Sequence, residues 1–334
     1  MNNKIRIIDT SMRDGMHGVS HKFTPKDIEY ISTWAEKAKI DTIEVGHGDG
    51  LSGSSINYGF AAASDQDYLR SSKKVLQNTN LAVLLLPGIG TKEDLKLARE
   101  NEVDIARIAT HVTEADVSKQ HIGYANKLGF EVMTFLMMAH MADKEVLLEE
   151  AKKMESYGAE VVYVVDSAGA LTPDEVRLKV SYLKDNMSVP IGFHAHNNLG
   201  LGIGNTIAAV EEGATVVDGS LAGLGAGAGN AQTEVLAVVL EKMGYNTGIN
   251  IKNVMDAAEN LRNMNLNRVP VIDKNSLALG YAGVYSSFLI HVEKASKKYN
   301  VDSIDILMEL GKRKVVGGQE DWIFDVAYEL SNIN

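Results

Sequence analysis

Short apolar runs alternate with longer stretches whose apolar positions recur every three or four residues, from Lys4 to about Met243. The short runs read as strands and the periodic stretches as amphipathic helices. Strands are expected at Lys4–Asp9, Thr42–Gly46, Leu81–Leu86, Ile105–Thr110, Glu131–Ala139, Val161–Asp166, Pro190–His196 and Val216–Ala222. Helices are expected at Pro25–Lys39, Gln66–Leu76, Lys92–Asn101, Ser118–Leu128, Lys144–Tyr157, Pro173–Asn186, Gly204–Glu212 and Ala231–Met243. Thr24 and Thr172 cap helices that open on a proline, and Gly158 closes the fifth helix.

Eight strand–helix units in about 245 residues have the count and size of a (β/α)8 barrel. Several strands are apolar throughout, as parallel strands buried on both faces should be. An open doubly wound sheet is the competing topology. Its usual Gly-rich turn after the first strand is missing, and Ser11-Met12-Arg13-Asp14-Gly15-Met16-His17 stands there instead. After Gly244 the strand signal stops. Lys252–Met264, Leu277–Lys298, Ser303–Lys312 and about Glu320–Leu330 read as helices, with Val269–Asp273 as a connector. The expected fold is α/β: a TIM barrel over residues 1–255 and a helical C-terminal domain over 256–334.

Composition narrows the chemistry. With 33 basic and 44 acidic residues the net charge is −11, which argues against nonspecific nucleic-acid binding. No cysteine is present, so thiolate catalysis and Cys-ligated metals are excluded. The N-terminus has no apolar signal core, and no apolar run reaches the ~18 residues of a membrane span. A cytoplasmic protein is expected.

Catalytic groups of such barrels sit at the C-terminal ends of the strands. Five of the nine histidines (His47, His111, His140, His194, His196) fall at or just past strand ends, and His17 follows the first strand. His194 and His196 are two apart on a strand, so they share a face roughly 7 Å apart. They read either as hydrogen-bonded strand histidines or as two ligands of one metal ion. Barrel closure places the first and seventh strands roughly 10 Å apart, with only the eighth between them. Asp14 then reaches the same ion. That N2O set with open positions suits Mn2+, Co2+, Fe2+, Zn2+ or Mg2+ in a catalytic role. Arg13 reads as an anion donor beside the metal or as half of a salt bridge to a neighbouring carboxylate such as Asp9. His17 reads as a general base or as a surface histidine, and His21 as solvated. Glu44 is expected to pair with an internal cation, and Asp166 and Ser167 end the sixth strand. Tyr281 and Tyr285 read as a packing pair at i, i+4. The run from Gly223 to Asn230 reads either as a phosphate nest or as a loop passing close to the metal centre.

The motifs Asp9–Gly15, His194–Asn197 and Gly227–Ala231 resemble the metal-dependent lyase and synthase barrels of the HMG-CoA lyase-like superfamily. Longer motifs resemble its pyruvate aldolases, the 4-hydroxy-2-oxovalerate aldolase family in particular. They are Arg13–His17, Gly46–Leu51, Leu84–Gly90, Ala109–His121, Gly280–Leu289 and Val316–Asp321. Met12 stands where the wider superfamily usually has Leu. The resemblance implies a class II retro-aldol cleavage of 4-hydroxy-2-oxopentanoate to pyruvate and acetaldehyde. A CoA-dependent lyase or condensing enzyme of the same superfamily is the alternative. It implies Asp14, His194 and His196 as ligands of Mn2+, with Mg2+ or Co2+ as substitutes. It also implies Arg13 at the enolate, His17 as the base, and Arg13, Asp14, Ser167, His194 and Tyr285 as substrate contacts. Asn230 matches a ligand of the CoA-lyase branch and is not carried over. An oligomer and an acylating acetaldehyde dehydrogenase partner are implied, with the helical appendage in that contact.

Overall fold

The computed structural model describes residues 3–264, 266 and 270–332. Val269, the first residue of the expected connector, lies outside the described residues. Eight strands form the centre: β1 (Arg6–Met12), β2 (Thr42–Val45), β3 (Asn80–Leu85), β4 (Ile105–His111), β5 (Glu131–Met137), β6 (Val161–Asp166), β7 (Ile191–Ala195) and β8 (Val216–Gly219). They close in chain order into an all-parallel barrel, with β8 returning to pair with β1. The barrel and its shared axis follow the expected count of strands.

The strands carry two apolar faces. In β3, Ala82 and Leu84 point inward with Ile105, Met133 and Phe135, while Leu81, Val83 and Leu85 face the helices. This is the alternation of a strand sandwiched between two layers. The helical layer consists of α1 (Gly15–Gly18), α2 (Pro25–Ala38), α3 (Asp65–Lys73), α4 (Lys92–Glu100), α5 (Lys119–Leu128), α6 (Lys144–Tyr157), α7 (Pro173–Asn186), α8 (Gly202–Glu211), α9 (Thr233–Lys242) and α10 (Ile251–Arg262). Thr24 and Asp27 form a reciprocal capping box on α2, and Gly158 closes α6 in the left-handed conformation. Val254, Ala257, Ala258 and Leu261 of α10 belong to the core between the strands and helices.

Four further helices follow: α11 (Lys274–Ala282), α12 (Leu289–Tyr299), α13 (Ser303–Lys312) and α14 (Asp321–Ser331). They enclose their own core, with Leu279, Phe288, Val292, Ile306, Leu310, Ile323 and Val326 buried.

Two expected elements differ. The first strand runs on to Met12 because the chain pairs again with β2 at Val45 after an irregularity beyond Asp9. Arg13 and Asp14 therefore leave directly from the strand end, and His17 sits on the short helix α1. The helix expected over Leu277–Lys298 is two helices. Gly283 (φ +67°) ends α11, and His140 Nε2 lies 3.1 Å from its carbonyl oxygen. A Cβ at Gly283 would lie 2.8 Å from that same Nε2, so the close approach itself favours glycine.

Candidate active site

At the C-terminal mouth of the barrel Arg13 is buried and fixed from two sides. Its Nε donates to Glu44 Oε2 at 2.6 Å and its Nη1 to Asp14 Oδ2 at 2.8 Å. Asp9 is not its partner, because that carboxylate accepts from Ser11 N–H (3.0 Å) and Thr233 Oγ1 (2.6 Å). His194 and His196 share a face, with ring centroids 5.1 Å apart. Their Nε2 atoms lie 3.8 and 3.7 Å from Asp14 Oδ2. His194 Nδ1 lies 2.8 Å from Asp218 Oδ2 and donates to it, which turns Nε2 toward Asp14.

The electrostatics favour a cation at this point. Burial alone would push the Asp14 carboxyl up, but the Arg13 guanidinium, with His196, His194 and His17, holds it well below the usual carboxylate range. Burial pushes His196 down to about 4, helped by His194, Arg13 and His17 and opposed by Asp14. Its imidazole is thus neutral near pH 7, the form that ligates metals. Asp14, Glu44 and Asp218 bring three carboxylates against the two guanidiniums of Arg13 and Arg107. The buried cluster is short of one positive charge, an arrangement that is costly without a further cation. Asp14, His194 and His196 have mutually close donor atoms, all within 4.8 Å. With one carboxylate and two imidazoles, they fit a divalent ion.

Arg107 is the residue that holds this cluster together. It is fully buried inside the barrel, with its guanidinium 4.3 Å from the Phe135 ring centroid and 5.0 Å from that of Tyr163. Its Nη2 donates to both oxygens of Asp218, at 2.7 and 2.5 Å, and its Nη1 lies 3.1 Å from Glu44 Oε1. One guanidinium thereby supports Glu44, which aims Arg13, and Asp218, which orients His194. Sequence reasoning foresaw an internal cation for Glu44 but not Arg107 or Asp218. The available signal was a charged residue in each of two apolar strands, Ile105-Ala106-Arg107-Ile108 and Val216-Val217-Asp218.

The Gly-rich loop after β8 runs against the same carboxylate. Ala226 N–H donates to Asp14 Oδ1 (3.1 Å) and Ala228 N–H to Asn198 Oδ1 (2.9 Å). A Cβ on Gly225 would lie 2.9 Å from Asp14 Oδ1. Of the two readings of this loop, close approach to the candidate metal centre at Asp14 is the one observed, since these N–H groups already have acceptors. Asn230 Oδ1 is buried nearby without a hydrogen-bond partner among the described residues.

The pocket brings together Arg13, Asp14, His17, Ser167, His194, His196 and Tyr285. His17 is half-buried, and Gly48 passes so close that a Cβ there would lie 2.6 Å from His17 Nε2. Ser167 Oγ accepts from Met138 N–H at 3.0 Å. Tyr285 is not half of a helical pair with Tyr281, because α11 ends between them. Tyr281 is 78% exposed, whereas the Tyr285 hydroxyl reaches into the pocket, 3.3 Å from Met137 Sδ. Burial pushes the Tyr285 phenol up, so it stays a neutral donor. Ser286, beside it, ties the break to the barrel. Its Oγ donates to the Ser167 carbonyl (2.6 Å) and accepts from Asn198 Nδ2 (2.8 Å).

The other histidines divide differently from the expectation. His21 is buried, not solvated, because the loop after β2 folds over it and Ala62 N–H bonds its carbonyl at 3.0 Å. His47 stacks on His21. His111 lines an adjoining cavity, and His140 supports Gly283. Among the described residues no helix is long and apolar enough to cross a membrane.

Residues 4–261 match the HMGL-like family, and residues 270–332 match the DmpG-like communication domain. The chain is 58% identical over 334 residues to a 4-hydroxy-2-oxovalerate aldolase of Carboxydothermus hydrogenoformans, covering 100% of this chain and 99% of that protein. It is 57% identical to the enzyme of that name from Pelotomaculum thermopropionicum, covering 98% and 96%. The carboxyl transferase domain of Rhizobium etli pyruvate carboxylase superposes with a TM-score of 0.85 at 16% identity, over 99% of this chain and 61% of that one, a likeness of fold. A barrel that gathers Arg13, Asp14, His194 and His196 at its mouth, joined to a communication-type helical region, places the chain in the HMGL-like family, among the 4-hydroxy-2-oxovalerate aldolases.

Proposed function

We propose that the chain cleaves 4-hydroxy-2-oxopentanoate to pyruvate and acetaldehyde, with Mn2+ held by Asp14, His194 and His196. The observation that carries this reading is the convergence of those three donors with Arg13 and His17 on one pocket. When bound, the cation supplies positive charge beside the 2-oxo group. His17 takes the C4 hydroxyl proton as the C3–C4 bond breaks. The electron pair of that bond moves into C2–C3, and negative charge builds on the C2 oxygen. Arg13, held rigidly by Glu44 and Asp14, donates to that oxygen and stabilises the enolate as it forms. Acetaldehyde leaves, and protonation at C3 gives pyruvate. Ser167 and Tyr285 orient the substrate with neutral hydroxyl groups.

α10 packs its apolar face into the barrel core, which supports a division of the chain after that helix rather than at residue 255. The helices beyond it form the contact with an acylating acetaldehyde dehydrogenase that receives the aldehyde, in a cytoplasmic oligomer. The test is pyruvate release from 4-hydroxy-2-oxopentanoate with chelator, then with Mn2+ added back. Release should stop with chelator and return with Mn2+. Acetyl-CoA consumption without pyruvate release would move the chain to the CoA-dependent branch.

A further inference from the structure

Around His17, the one member that the aldol chemistry uses, lies a second group of side chains able to hold a metal ion. His21 and His47 stack face to face, with centroids 3.8 Å apart and planes 11° from parallel. His17 meets the edge of His21 at 5.0 Å. Asp49 enters from the loop after β2. Donor atoms of His17, His21 and Asp49 all lie within 4.8 Å of one another.

Hydrogen bonds decide which rings can ligate. His47 Nε2 lies 3.0 Å from the Gly59 carbonyl oxygen and donates to it, and its Nδ1 accepts from Asp49 N–H at 3.1 Å. Both nitrogens of His47 are therefore engaged. His21 Nδ1 receives only a long 3.4 Å contact from Gly48 N–H. As an acceptor it carries no proton, so the ring proton sits on Nε2, and the backbone of Tyr58 accepts a hydrogen bond from the ring. A metal-bound histidine uses this same arrangement: a lone pair on one nitrogen and a backbone acceptor on the other.

We propose that His17, His21 and Asp49 form a second divalent-ion site, suited to zinc, whose occupation stops turnover by taking the lone pair of His17. The consequence for turnover rests on the reading of His17 as the base; the binding does not. Two imidazoles and one carboxylate hold zinc more tightly than manganese, following the Irving–Williams order. The Asp14 site fills first, because the Asp218 carboxylate backs its His194, whereas a backbone carbonyl backs His21. The second site fills when zinc is in excess.

Equilibrium dialysis of the metal-stripped full-length chain against zinc tests the site without any assay of turnover. The native chain should bind two ions. Asp14→Asn should keep only the ion at the new site. His21→Gln should keep only the ion at the Asp14 site. Asp49→Asn should weaken the second ion at least tenfold, and it stands in if His21→Gln fails to fold. With Mn2+ in large excess, so that the Asp14 site stays loaded with it, both of these variants should tolerate at least tenfold more zinc before pyruvate release is lost. A native chain that binds one zinc ion, or a second ion unaffected in both variants, overturns the proposal. Two ions in a chain without aldolase activity would leave the site standing and remove the functional reading instead.

Discussion

His17 reaches the pocket from a helix of only four residues, so its position depends on the end of β1 and on the passing backbone of Gly48. If it is the base, His17→Ala should lower kcat by roughly 10²–10⁴-fold and leave metal affinity as it was. Steady-state kinetics beside a metal titration measures both, and unchanged turnover would take His17 out of the chemistry. Asp9 offers a separate test of stability. Burial pushes its carboxyl up to about 6, although bonds from Thr233 and Ser11 pull it down. Its folded-state pKa therefore lies above the unfolded value near 4. The stability linked to Asp9 is fully present below about pH 4 and is lost as pH rises through about 6, at most about 3 kcal/mol. Asp9→Asn has no such titration, so the native chain should lose stability relative to the variant between those pH values. Urea unfolding across pH measures the difference, and a flat one would mean that Asp9 stays ionised throughout. Polar residues at strand ends were legible in the sequence because period and barrel closure set their direction. His21 was not, because its burial comes from a loop whose contact at Ala62 lies about forty residues further along the chain, and no local pattern encodes that contact.

The elements were legible where one physical signal dominated. Continuous apolar strands and proline-led caps marked the barrel units, and Thr24, Thr172 and Gly158 act as expected or sit at the expected ends. The break between α11 and α12 was hidden because apolar periodicity continues through Val284 and Phe288, both buried in the C-terminal core. What ends the helix is tertiary: His140 at Gly283, and Ser167 with Asn198 at Ser286. Asn198 is the joint. It donates to the Ala168 carbonyl and to Ser286 Oγ, both at 2.8 Å, and accepts from Ala228 N–H at 2.9 Å. One amide thus links the β6 loop, the Gly-rich loop and the C-terminal helices. Asn198→Ala leaves the buried Ala228 N–H without its acceptor. The variant should lose about 1–3 kcal/mol of unfolding free energy. Its KM should rise more than its kcat falls, because the wall bearing Tyr285 loosens while His17 stays in place. An unchanged KM would show that the pocket does not need this tie.

At the scale of the whole molecule, the barrel interior is not the purely apolar plug that its strands suggest. Its upper layer is a buried ion network running from Arg13 through Glu44, Arg107 and Asp218 to His194. Such a network stabilises a fold weakly compared with apolar packing, so its persistence at the barrel centre points to positioning. Removing the cation alone, in Arg107→Met, leaves Glu44 and Asp218 buried without it and should cost about 3–5 kcal/mol. Adding Glu44→Gln and Asp218→Asn removes the stranded charges, and the triple variant should recover most of that stability. Metal affinity should not recover with it. His194 has then lost the carboxylate on its Nδ1, and the loss of such a partner lowers metal affinity on the order of 10–100-fold. Arg13 has lost its aim from Glu44, so turnover should stay low even at saturating Mn2+. Chemical denaturation and metal titration of the single and triple variants separate the two effects. If stability and metal affinity recovered together, the network would be packing alone, and the orientation of Arg13 and His194 would have to come from the strands themselves.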